Sequence, residues 1–355
     1  MLRNLGLHLI FGLLAICAGG CWEGGVVATN YASQPAYTPG GPPAQPLRYT
    51  LSGPYSSNNL SLFLVHHDQA DAAANYLTLQ EAMRQKKVVV DETGHVNVLT
   101  IENRGSSDVF IHSGEIVKGG RQDRTIAEDQ ILQHQSGRVP LDSFCVEPGR
   151  WSRRGWESDS TFSGSTWGLA SKDLKLAARL HSNQREVWDR VAQMQQALGR
   201  VLRDAAINAP SSSSSSLQLT LENPELVSLA KEYTQSLGEA PQVAEDVVGY
   251  VALINGSINS AEIYGNNSLF RAAWPKLLNA LAVEAISHRN DASASPPAGQ
   301  EQVRAFVSAA ESGSPATREL NSRTRVAKYE SATAVLFETY DQGAARWVHR
   351  SYFMK

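Results

Sequence analysis

The sequence predicts an α+β fold in which mixed or antiparallel β-sheets pack against a few helices. Three observations support this class. Short apolar or β-branched segments recur between turn residues, as strands do. The first half of the chain carries one early helical pattern, and longer helical patterns begin near residue 174. No internal repeat is present in the 355 residues.

The first half of the folded region contains short strands with one helix among them. Thr78, followed three residues later by Glu81, forms a capping-box signature that predicts a helix beginning there. Residues 103–107 form a turn between two of the strands. The predicted strands are residues 60–65, 88–90, 96–101, 109–112 and 139–146.

The second half combines helices, one hairpin and closing strands. Asn255-Gly256 is a strong hairpin signal between strands predicted at 247–254 and 258–263. Residues 149–168 show no periodicity, which predicts a long loop of the kind that often carries function. The other predicted elements are helices at 174–202, 224–237 and 269–286 and strands at 325–328, 333–340 and 347–353.

Composition excludes several classes of protein. Apolar residues make up 42 % of the chain, which is enough for a core, and 19 % charged residues is too few for a charge-driven disordered chain. A net charge of −3 argues against general nucleic-acid binding. Three cysteines are too few for a disulfide framework.

The first 21 residues predict a signal peptide and therefore an exported protein. Arg3 precedes a mostly apolar segment at 5–18, and small residues follow before Cys21. Cleavage before Cys21 resembles bacterial lipoprotein processing, in which this cysteine receives a lipid that anchors the protein to the membrane. Ordinary signal cleavage after Gly20 is the alternative, because Ala18 and Gly20 also satisfy its requirement for small residues. The expected location is the bacterial cell envelope, facing the periplasm or the outer surface.

Four regions are expected after the signal peptide. Residues 22–49, rich in Gly and Pro, predict a flexible or extended tether. An α+β domain at 50–290 follows, with a serine-rich insertion near 210–217. A linker at 291–301 precedes residues 302–355, whose strands complete or extend the domain. The insertion and the linker are expected to be exposed and mobile.

Common catalytic and metal-binding motifs are absent from the sequence. It contains no phosphate-binding P-loop, no dinucleotide-binding glycine motif, no H-E-x-x-H and no G-x-S-x-G. His66-His67-Asp68 is a dense cluster, but neighbouring residues on a strand point to opposite faces, so an exposed strand end is the expected explanation. We therefore predict no metal site, and no cofactor is indicated.

Two polar segments form the candidate site. Residues 114–125 place charged side chains around a double glycine, and glycines allow close approach of a ligand or another chain segment. In this interpretation Arg121, Arg124 and Arg150 hold an anionic group, because guanidinium forks suit carboxylate or phosphate. Gln122 orients that group, and Trp151 stacks on it or covers it.

The same segments supply candidates for catalysis and an alternative without a ligand. Glu115, Asp123 or Glu147 are the candidate general bases, with the arginines stabilising developing charge. Alternatively, these acids and arginines form a structural network of salt bridges. Cys145 is expected to be a buried strand thiol, because no histidine lies near it in sequence to activate it.

At these residues the sequence resembles the ARG and Rhodanese-Phosphatase-superfamily-associated Protein domain family. The resemblance covers about residues 50–290 and departs from the family pattern at Asp123, where Asn is expected, and at Pro148. The family name is associated with nucleotide and phosphate chemistry, and the resemblance implies no particular reaction. The matching segments are residues 76–82, 114–124 and 145–151, with weaker similarity at 184–188, 249–256 and 274–278.

The functional expectation is an exported, lipid-anchored domain that binds a small anionic ligand containing phosphate or carboxylate. One alternative is a hydrolase or transferase that acts on a phosphate- or ribose-containing substrate through an acid and arginine site. The second alternative is a structural protein without a ligand.

Overall fold

The structure is a computed structural model and describes residues 36–67, 75–202, 213, 215–291 and 296–355. Within this part, the strands are β1 (Thr38–Pro39), β2 (Thr50–Ser57), β3 (Leu60–His66), β4 (Leu77–Thr78), β5 (Val88–His95), β6 (Val98–Asn103), β7 (Val109–Ile111), β8 (Glu115–Gly119), β9 (Arg124–Ile126), β10 (Gln130–Leu132), β11 (Gly137–Cys145), β12 (Phe162–Leu169), β13 (Val247–Ile254), β14 (Ser257–Tyr264), β15 (Ser314–Glu319), β16 (Thr324–Glu330), β17 (Ala334–Asp341) and β18 (Arg346–Met354).

Helices alternate irregularly with these strands, which confirms the α+β class. A π-helical turn (Leu176–Leu180) continues α2, and a 3-10 turn (Ala240–Gln242) follows α5. In the described residues, no helix is both long enough and apolar enough to cross a bilayer. The α-helices are α1 (Leu79–Arg84), α2 (Lys172–Lys175), α3 (Gln184–Leu202), α4 (Leu217–Leu221), α5 (Pro224–Leu237), α6 (Asn267–Ser287) and α7 (Gln300–Glu311).

A nine-stranded antiparallel sheet forms the centre of the fold, in the order β1-β15-β16-β17-β18-β14-β13-β3-β2. Every residue of β13 is buried, because both faces of the sheet are covered. Tyr250 and Ala252 pack into one cluster with α3, α5 and α6, whereas Val251 and Leu253 pack into another with α7. This division follows from the alternation of side chains along a strand.

Two smaller sheets carry the candidate site. A six-stranded sheet has the order β12-β8-β9-β11-β6-β5, and a three-stranded sheet has the order β10-β7-β4. The pairing of β4 with β7 is parallel, so the sheets are mixed as well as antiparallel. Leu79 and Ala82 of α1 share an apolar cluster with strand residues such as Val117 and Leu141.

Two local sequence signals produce the predicted structures. Thr78 Oγ1 accepts from the Glu81 backbone N–H at 3.2 Å and Glu81 Oε2 accepts from the Thr78 N–H at 2.9 Å, so the capping box forms at α1. Asn255 and Gly256 both adopt positive φ angles, +51° and +78°, as a tight hairpin turn between β13 and β14 requires.

The predicted long helix at 174–202 is interrupted. After the π-helical turn, Ser182 adopts a φ of +49°, which ends the helix. The Asn183 side chain then accepts hydrogen bonds from the backbone N–H groups of Arg185 and Glu186 at 3.0 and 3.2 Å. Asn183 therefore acts as an N-cap in the middle of a continuous apolar pattern and starts α3 as a new helix.

The predicted loop at 149–168 ends in a strand. β12 pairs with β8 at the edge of the six-stranded sheet and contains an irregularity between Gly164 and Leu169. Its sequence gives no alternating signal, because the strand is rich in Gly and Ser. Helix α7 and strand β15 were not predicted either, although α7 buries Val303, Phe306 and Val307 at helical spacing.

Part of the predicted tether at 22–49 belongs to the folded body. Thr38 and Pro39 pair with β15, Ala44 is buried, and the Tyr37 hydroxyl donates to Glu128 at 2.8 Å. A Gly/Pro-rich composition permits such an edge strand when aromatic and apolar side chains are interspersed. The signal segment and Cys21 lie outside the described residues.

The serine-rich insertion and the linker are only partly described. Ser216 is buried and accepts from the Leu219 N–H at 3.1 Å as the N-cap of α4, so this end of the insertion is neither exposed nor free. Residues 292–295 of the linker lie outside the described part, and α7 begins at its end. Strands β15 to β18 extend the central sheet through the β14–β18 pairing.

Candidate functional site

The two predicted site segments meet beside the six-stranded sheet. β11 pairs with β9, and Cys145 at the end of β11 lies opposite Arg124 at the start of β9. The double glycine before Arg121 serves chain packing at this point. Gly120 has a φ of +54°, and a Cβ there would lie 2.3 Å from the ring of Phe162.

A buried cluster of two acids and two arginines forms the centre of the site. Arg150 Nη2 lies 2.6 Å from Glu147 Oε2 and 3.4 Å from Asp123 Oδ1. Arg154 Nη1 lies 2.9 Å from both Asp123 Oδ2 and Glu147 Oε1. All four side chains are at most 8 % exposed. The structure therefore joins three predicted residues, Asp123, Glu147 and Arg150, with Arg154, which the sequence interpretation had not selected.

Further contacts occupy the remaining lone pairs of the two carboxylates. Asp123 accepts from the Gly119 N–H at 3.1 Å and from the Ser216 hydroxyl at 2.9 Å. Glu147 accepts from the Asp123 N–H at 3.1 Å. We call Asp123, Glu147, Arg150 and Arg154 the arginine–carboxylate cluster. Because hydrogen bonds and ion pairs surround both carboxylates, this cluster matches the structural network of salt bridges that was the alternative to a ligand site.

The two acids of the cluster differ in proton affinity. Burial and the neighbouring Glu147 raise the pKa of Asp123 above its ordinary value. Burial also acts to raise the pKa of Glu147, but the hydrogen bonds from Arg150, Ser213 and the Asp123 backbone, together with the charge of Arg154, outweigh burial and lower that pKa. This separation is a feature of acid–base sites, although arginine contacts of this kind also arise in structural ion pairs.

Arg124 is completely buried beneath this surface. Its Nη1 donates to the backbone and side-chain oxygens of Gln122 at 3.0 and 3.1 Å, while its Nε and Nη2 have no hydrogen-bond partner among the described residues. Nη2 lies 3.7 Å from the carboxylate of Glu92. Burial lowers the pKa of Arg124. Gln122 therefore orients Arg124, and no open surface reaches either side chain in the described structure, since both are buried.

Trp151 marks the exposed part of the site. The indole is 43 % exposed, and the guanidinium carbons of Arg121 and Arg124 lie 5.4 and 5.7 Å from its ring centre. Arg121 is exposed, and its guanidinium makes no hydrogen bond or ion pair with the described residues. The same holds for the exposed Arg153. Trp151 also lines a cleft of about 510 Å³ with Arg150, Arg153, Arg154, Gly149, Ser213 and Ser215.

Glu115 lies in a different part of the fold from the other catalytic candidates. Its Oε2 is 2.5 Å from Nζ of Lys276 on α6, and its Oε1 accepts from the His112 N–H at 3.4 Å. Both charged side chains are buried. The structure does not bring Glu115 to Asp123 or Glu147, because β8 carries its first residue away from the Gly119 end.

Cys145 has the properties of a structural thiol. The side chain is fully buried, and its sulfur accepts from the Glu147 N–H at 3.3 Å. Burial raises the pKa of the Cys145 thiol, so the reactive thiolate is disfavoured. The side-chain amide of Gln184, on α3, donates a hydrogen bond to the Cys145 carbonyl oxygen at 2.9 Å.

A second buried polar cluster was not predicted from the sequence. His349 Nδ1 lies 2.9 Å from Asp129 Oδ2, and its Nε2 lies 3.0 Å from Glu262 Oε2. The His112 and His349 rings are 4.7 Å apart between centroids, and His112 Nε2 is 4.0 Å from Glu262 Oε2. We call His112, Asp129, Glu262 and His349 the histidine cluster.

The surroundings of the two histidines shift their pKa values in opposite directions. Burial, with Lys175 and His349 nearby, lowers the pKa of His112 to about 3, so this imidazole is neutral. Burial also disfavours a charge on His349, but Asp129 and Glu262 outweigh it and raise its pKa. Lys175 Nζ contacts Glu262 Oε1 at 2.7 Å and counters part of the negative charge.

Sequence distance explains why the histidine cluster was missed. His112 directly follows β7, Asp129 directly precedes β10, Glu262 lies in β14 and His349 lies in β18. The four residues meet only because these strands pack together. One signal was available: Glu262 and His349 are titratable residues next to apolar neighbours in strands that are buried throughout this region. Such residues need a buried polar partner.

Comparison with known proteins identifies the family. The family model described as the ARG and Rhodanese-Phosphatase-superfamily-associated Protein domain matches residues 48–353. No curated protein and no solved structure gives a significant match. The matched region contains both polar clusters and includes α7 and the C-terminal strands, which lie beyond the 50–290 region of the predicted resemblance. The chain therefore belongs to the ARG and Rhodanese-Phosphatase-superfamily-associated Protein domain family.

Proposed function

We propose that this protein is an exported, lipid-anchored domain that binds a small anionic ligand in the cleft beside Trp151. One observation carries the proposal: Arg153, which lines the cleft, and Arg121, which lies 5.4 Å from the Trp151 ring centre, are exposed, and their guanidinium groups make no hydrogen bond or ion pair with the described residues. The guanidinium groups of Arg150 and Arg154, in contrast, contact Glu147 and Asp123. An exposed guanidinium next to an aromatic face provides charge and a stacking surface together. A phosphate or carboxylate attached to a planar group suits this combination.

The arginine–carboxylate cluster has a supporting role in this proposal. Arg150 donates to the carbonyl oxygens of Gly120 and Ser152 and contacts Glu147, so it fixes the loop that carries Trp151 and Arg153. Its own charge is largely neutralised by Glu147. We therefore assign anion binding to Arg121, Arg153 and Trp151, and a positioning role to Arg150, Gln122 and Arg124.

Export and lipid anchoring rest on the N-terminal sequence. Arg3, the apolar segment at 5–18 and Cys21 form the proposed signal and lipidation site. A Cys21→Ser variant should then move from the membrane fraction to the soluble fraction of the envelope, whereas the Cys145→Ser variant should remain with the membrane. Wild-type protein found mainly in a soluble fraction would contradict the anchor without affecting the ligand site.

A hydrolase or transferase is the second candidate, favoured by the divergent pKa values of Asp123 and Glu147. It receives less support, because arginines, Ser216 and backbone N–H groups contact the oxygens of both carboxylates. A general base needs a lone pair within reach of the substrate. A structural network without a ligand remains the third outcome of the binding experiment.

The experiment is calorimetric titration of the purified protein with inorganic phosphate and with AMP, which adds an aromatic ring to the phosphate. Arg121→Ala, Arg153→Ala and Trp151→Ala should each weaken AMP binding. Removal of a charged hydrogen bond is worth about 1.5–3 kcal/mol, or about 10- to 150-fold in affinity. Arg185→Ala removes another exposed arginine, at the start of α3, and should leave binding unchanged.

The pattern of results distinguishes the candidates. Binding of both anions, reduced by the three variants and not by the control, supports the site. Binding of AMP but not phosphate would place recognition on the ring and contradict the anion assignment. Absence of binding of either probe at millimolar concentration would favour the structural alternative, and release of phosphate from AMP would favour the enzyme.

A further inference from the structure

Two buried imidazole nitrogens of the histidine cluster lack hydrogen-bond partners. His112 Nδ1 lies 2.6 Å from the Ser113 carbonyl oxygen, so it carries the proton and leaves a lone pair on Nε2. Nε2 of His112 and Nε2 of His349 have no hydrogen-bond partner among the described residues. The 3.0 Å approach of His349 Nε2 to Glu262 Oε2 does not have hydrogen-bond geometry. Other buried polar atoms of the described residues also lack partners, and what sets these two apart is that they lie in one cluster. An unpaired buried atom of this kind can mark the place of an ion or a water molecule.

Both nitrogens face the same carboxylate oxygen. Oε2 of Glu262 lies 4.0 Å from His112 Nε2 and 3.0 Å from His349 Nε2. Two ligand atoms of a tetrahedral zinc ion are about 3.4 Å apart, given bonds of about 2.1 Å. The observed separations lie on either side of this value. Ligand atoms of His112, His349 and the adjacent Asp129 also fall within 4.8 Å of one another.

The groups around these three side chains hold them in a ligand-like arrangement. Asp129 Oδ2 lies 2.9 Å from the far nitrogen of His349, as in the carboxylate–histidine–zinc triads of metalloproteins. Lys175 binds the other oxygen of Glu262 at 2.7 Å and leaves Oε2 facing the imidazoles. Ser351 donates to that Oε2 at 2.5 Å, which orients the carboxylate further.

We propose that His112 Nε2, His349 Nε2 and Glu262 Oε2 form a binding site for a divalent cation of the zinc class. Two imidazoles and one carboxylate are the ligand set of zinc sites that keep a fourth position open. The ligand set favours a borderline ion such as Zn²⁺ over Mg²⁺ or Ca²⁺, which prefer oxygen ligands. A cavity of about 20 Å³, large enough for a water molecule, borders His112 together with Glu115 and Lys276, but neither Glu262 nor His349 lines it.

Neighbouring cations do not occupy the proposed position. Lys175 is paired with Glu262 Oε1, and Arg179 lies 2.5 Å from Glu128 Oε2 and 3.4 Å from Asp129 Oδ2. Arg179 is therefore offset by Glu128 and Asp129, whereas Lys175 and the proposed cation share the carboxylate of Glu262, Lys175 through Oε1 and the cation through Oε2. The site is separate from the Trp151 cleft, so its test does not depend on the proposed anion binding.

The test is titration of the full chain, purified without a histidine tag and treated with a chelator, with Zn²⁺ followed by calorimetry and with Co²⁺ followed by visible absorption. The wild type should bind one ion per chain, with the intense visible absorption of four-coordinate Co²⁺. His112→Asn and His349→Asn keep a side-chain donor near the Nδ1 position and remove only Nε2. Each variant should weaken Zn²⁺ binding about 100-fold or more. Loss of a residue that only orients a metal ligand costs about 10- to 100-fold, so loss of a ligand itself should cost at least as much. His134→Asn, at an exposed histidine that pairs with Asp108, should leave binding unchanged.

Wild-type protein without saturable Zn²⁺ binding would overturn the proposal. The proposal would also be overturned if both Asn variants bound Zn²⁺ as tightly as the wild type does. If a variant does not fold, ¹⁵N NMR spectra of the histidine side chains in the wild type test the proposal instead. Zn²⁺ should shift the Nε2 resonances of two of the nine histidines. Shifts at exposed histidines, or at none, would contradict the site.

Discussion

Replacement of Arg150 and of Arg121 by alanine should have very different effects on stability. Arg150 is 8 % exposed, contacts Glu147 at 2.6 Å and donates to the Gly120 carbonyl at 3.1 Å. Arg121 is exposed, and its guanidinium contacts Trp151 without an acidic partner among the described residues. The two arginines lie in neighbouring segments of one site, so the comparison separates structural from ligand-binding roles.

The expected magnitude follows from the partners that remain. Truncation of one member of a buried ion pair costs about 3–5 kcal/mol, because the other charge stays buried without compensation. In Arg150→Ala, Arg154 still contacts both Glu147 and Asp123 at 2.9 Å, so the loss should lie near 3 kcal/mol. Arg121→Ala should change the free energy of unfolding by no more than about 0.5 kcal/mol, as at other surface positions.

The assay is urea unfolding followed by tryptophan fluorescence, with far-UV circular dichroism as a second probe to test for a single transition. A Glu147→Gln change in the Arg150→Ala background should recover part of the loss, because it removes the uncompensated carboxylate. Equal stability of Arg150→Ala and the wild type would refute the assignment of Arg150 to the arginine–carboxylate cluster. If Arg121→Ala lowered the free energy of unfolding by several kcal/mol, Arg121 would not be a surface arginine without structural partners.

Three further predictions concern other parts of the described fold. Cys145 should resist alkylation by iodoacetamide in the native protein and react only after urea unfolding, as peptide mass spectrometry would detect; rapid native labelling would contradict its burial. Burial opposes ionisation of Asp341, but hydrogen bonds from Arg323 and Tyr76 lower its pKa below 3.8, so its stabilisation is present above about pH 4 and is lost as the pH falls. Asp341→Asn should therefore destabilise the protein at pH 7, and a thermal-melt difference that persists unchanged at pH 3 would contradict the sign. Gly120→Ala should cost more than about 1 kcal/mol in urea unfolding, because its φ is positive and its Cβ would overlap an aromatic ring.

Much of the fold could be predicted because local signals determine it. The capping box at Thr78 and the Asn255-Gly256 turn act within a few residues, and the structure contains both. The break before α3 shows the limit of apolar periodicity, since Asn183 caps a new helix without disturbing the pattern. β12 was missed because an edge strand rich in Gly and Ser needs no alternation of apolar residues.

The sequence could predict most residues of the candidate site, but not which side chains contact each other. Sequence indicated that Asp123, Glu147 and Arg150 belong together, and tertiary structure decides that Arg154 completes the cluster. Glu115 was grouped with them by proximity in sequence, yet its strand carries it to Lys276. The histidine cluster depends on contacts between residues more than 200 positions apart, so a local pattern could indicate Glu262 and His349 as buried polar residues but not their partners.

A crystal structure of the protein soaked with tungstate, a heavy analogue of phosphate, tests the central claim most directly. The account predicts an anomalous peak in the Trp151 cleft, within hydrogen-bond distance of the Arg153 guanidinium and away from lattice contacts. Arg150 and Arg154 should keep their contacts with Glu147 in the same crystal. A cleft without tungstate at saturating concentration, or an ion bound only between neighbouring molecules, would contradict the account.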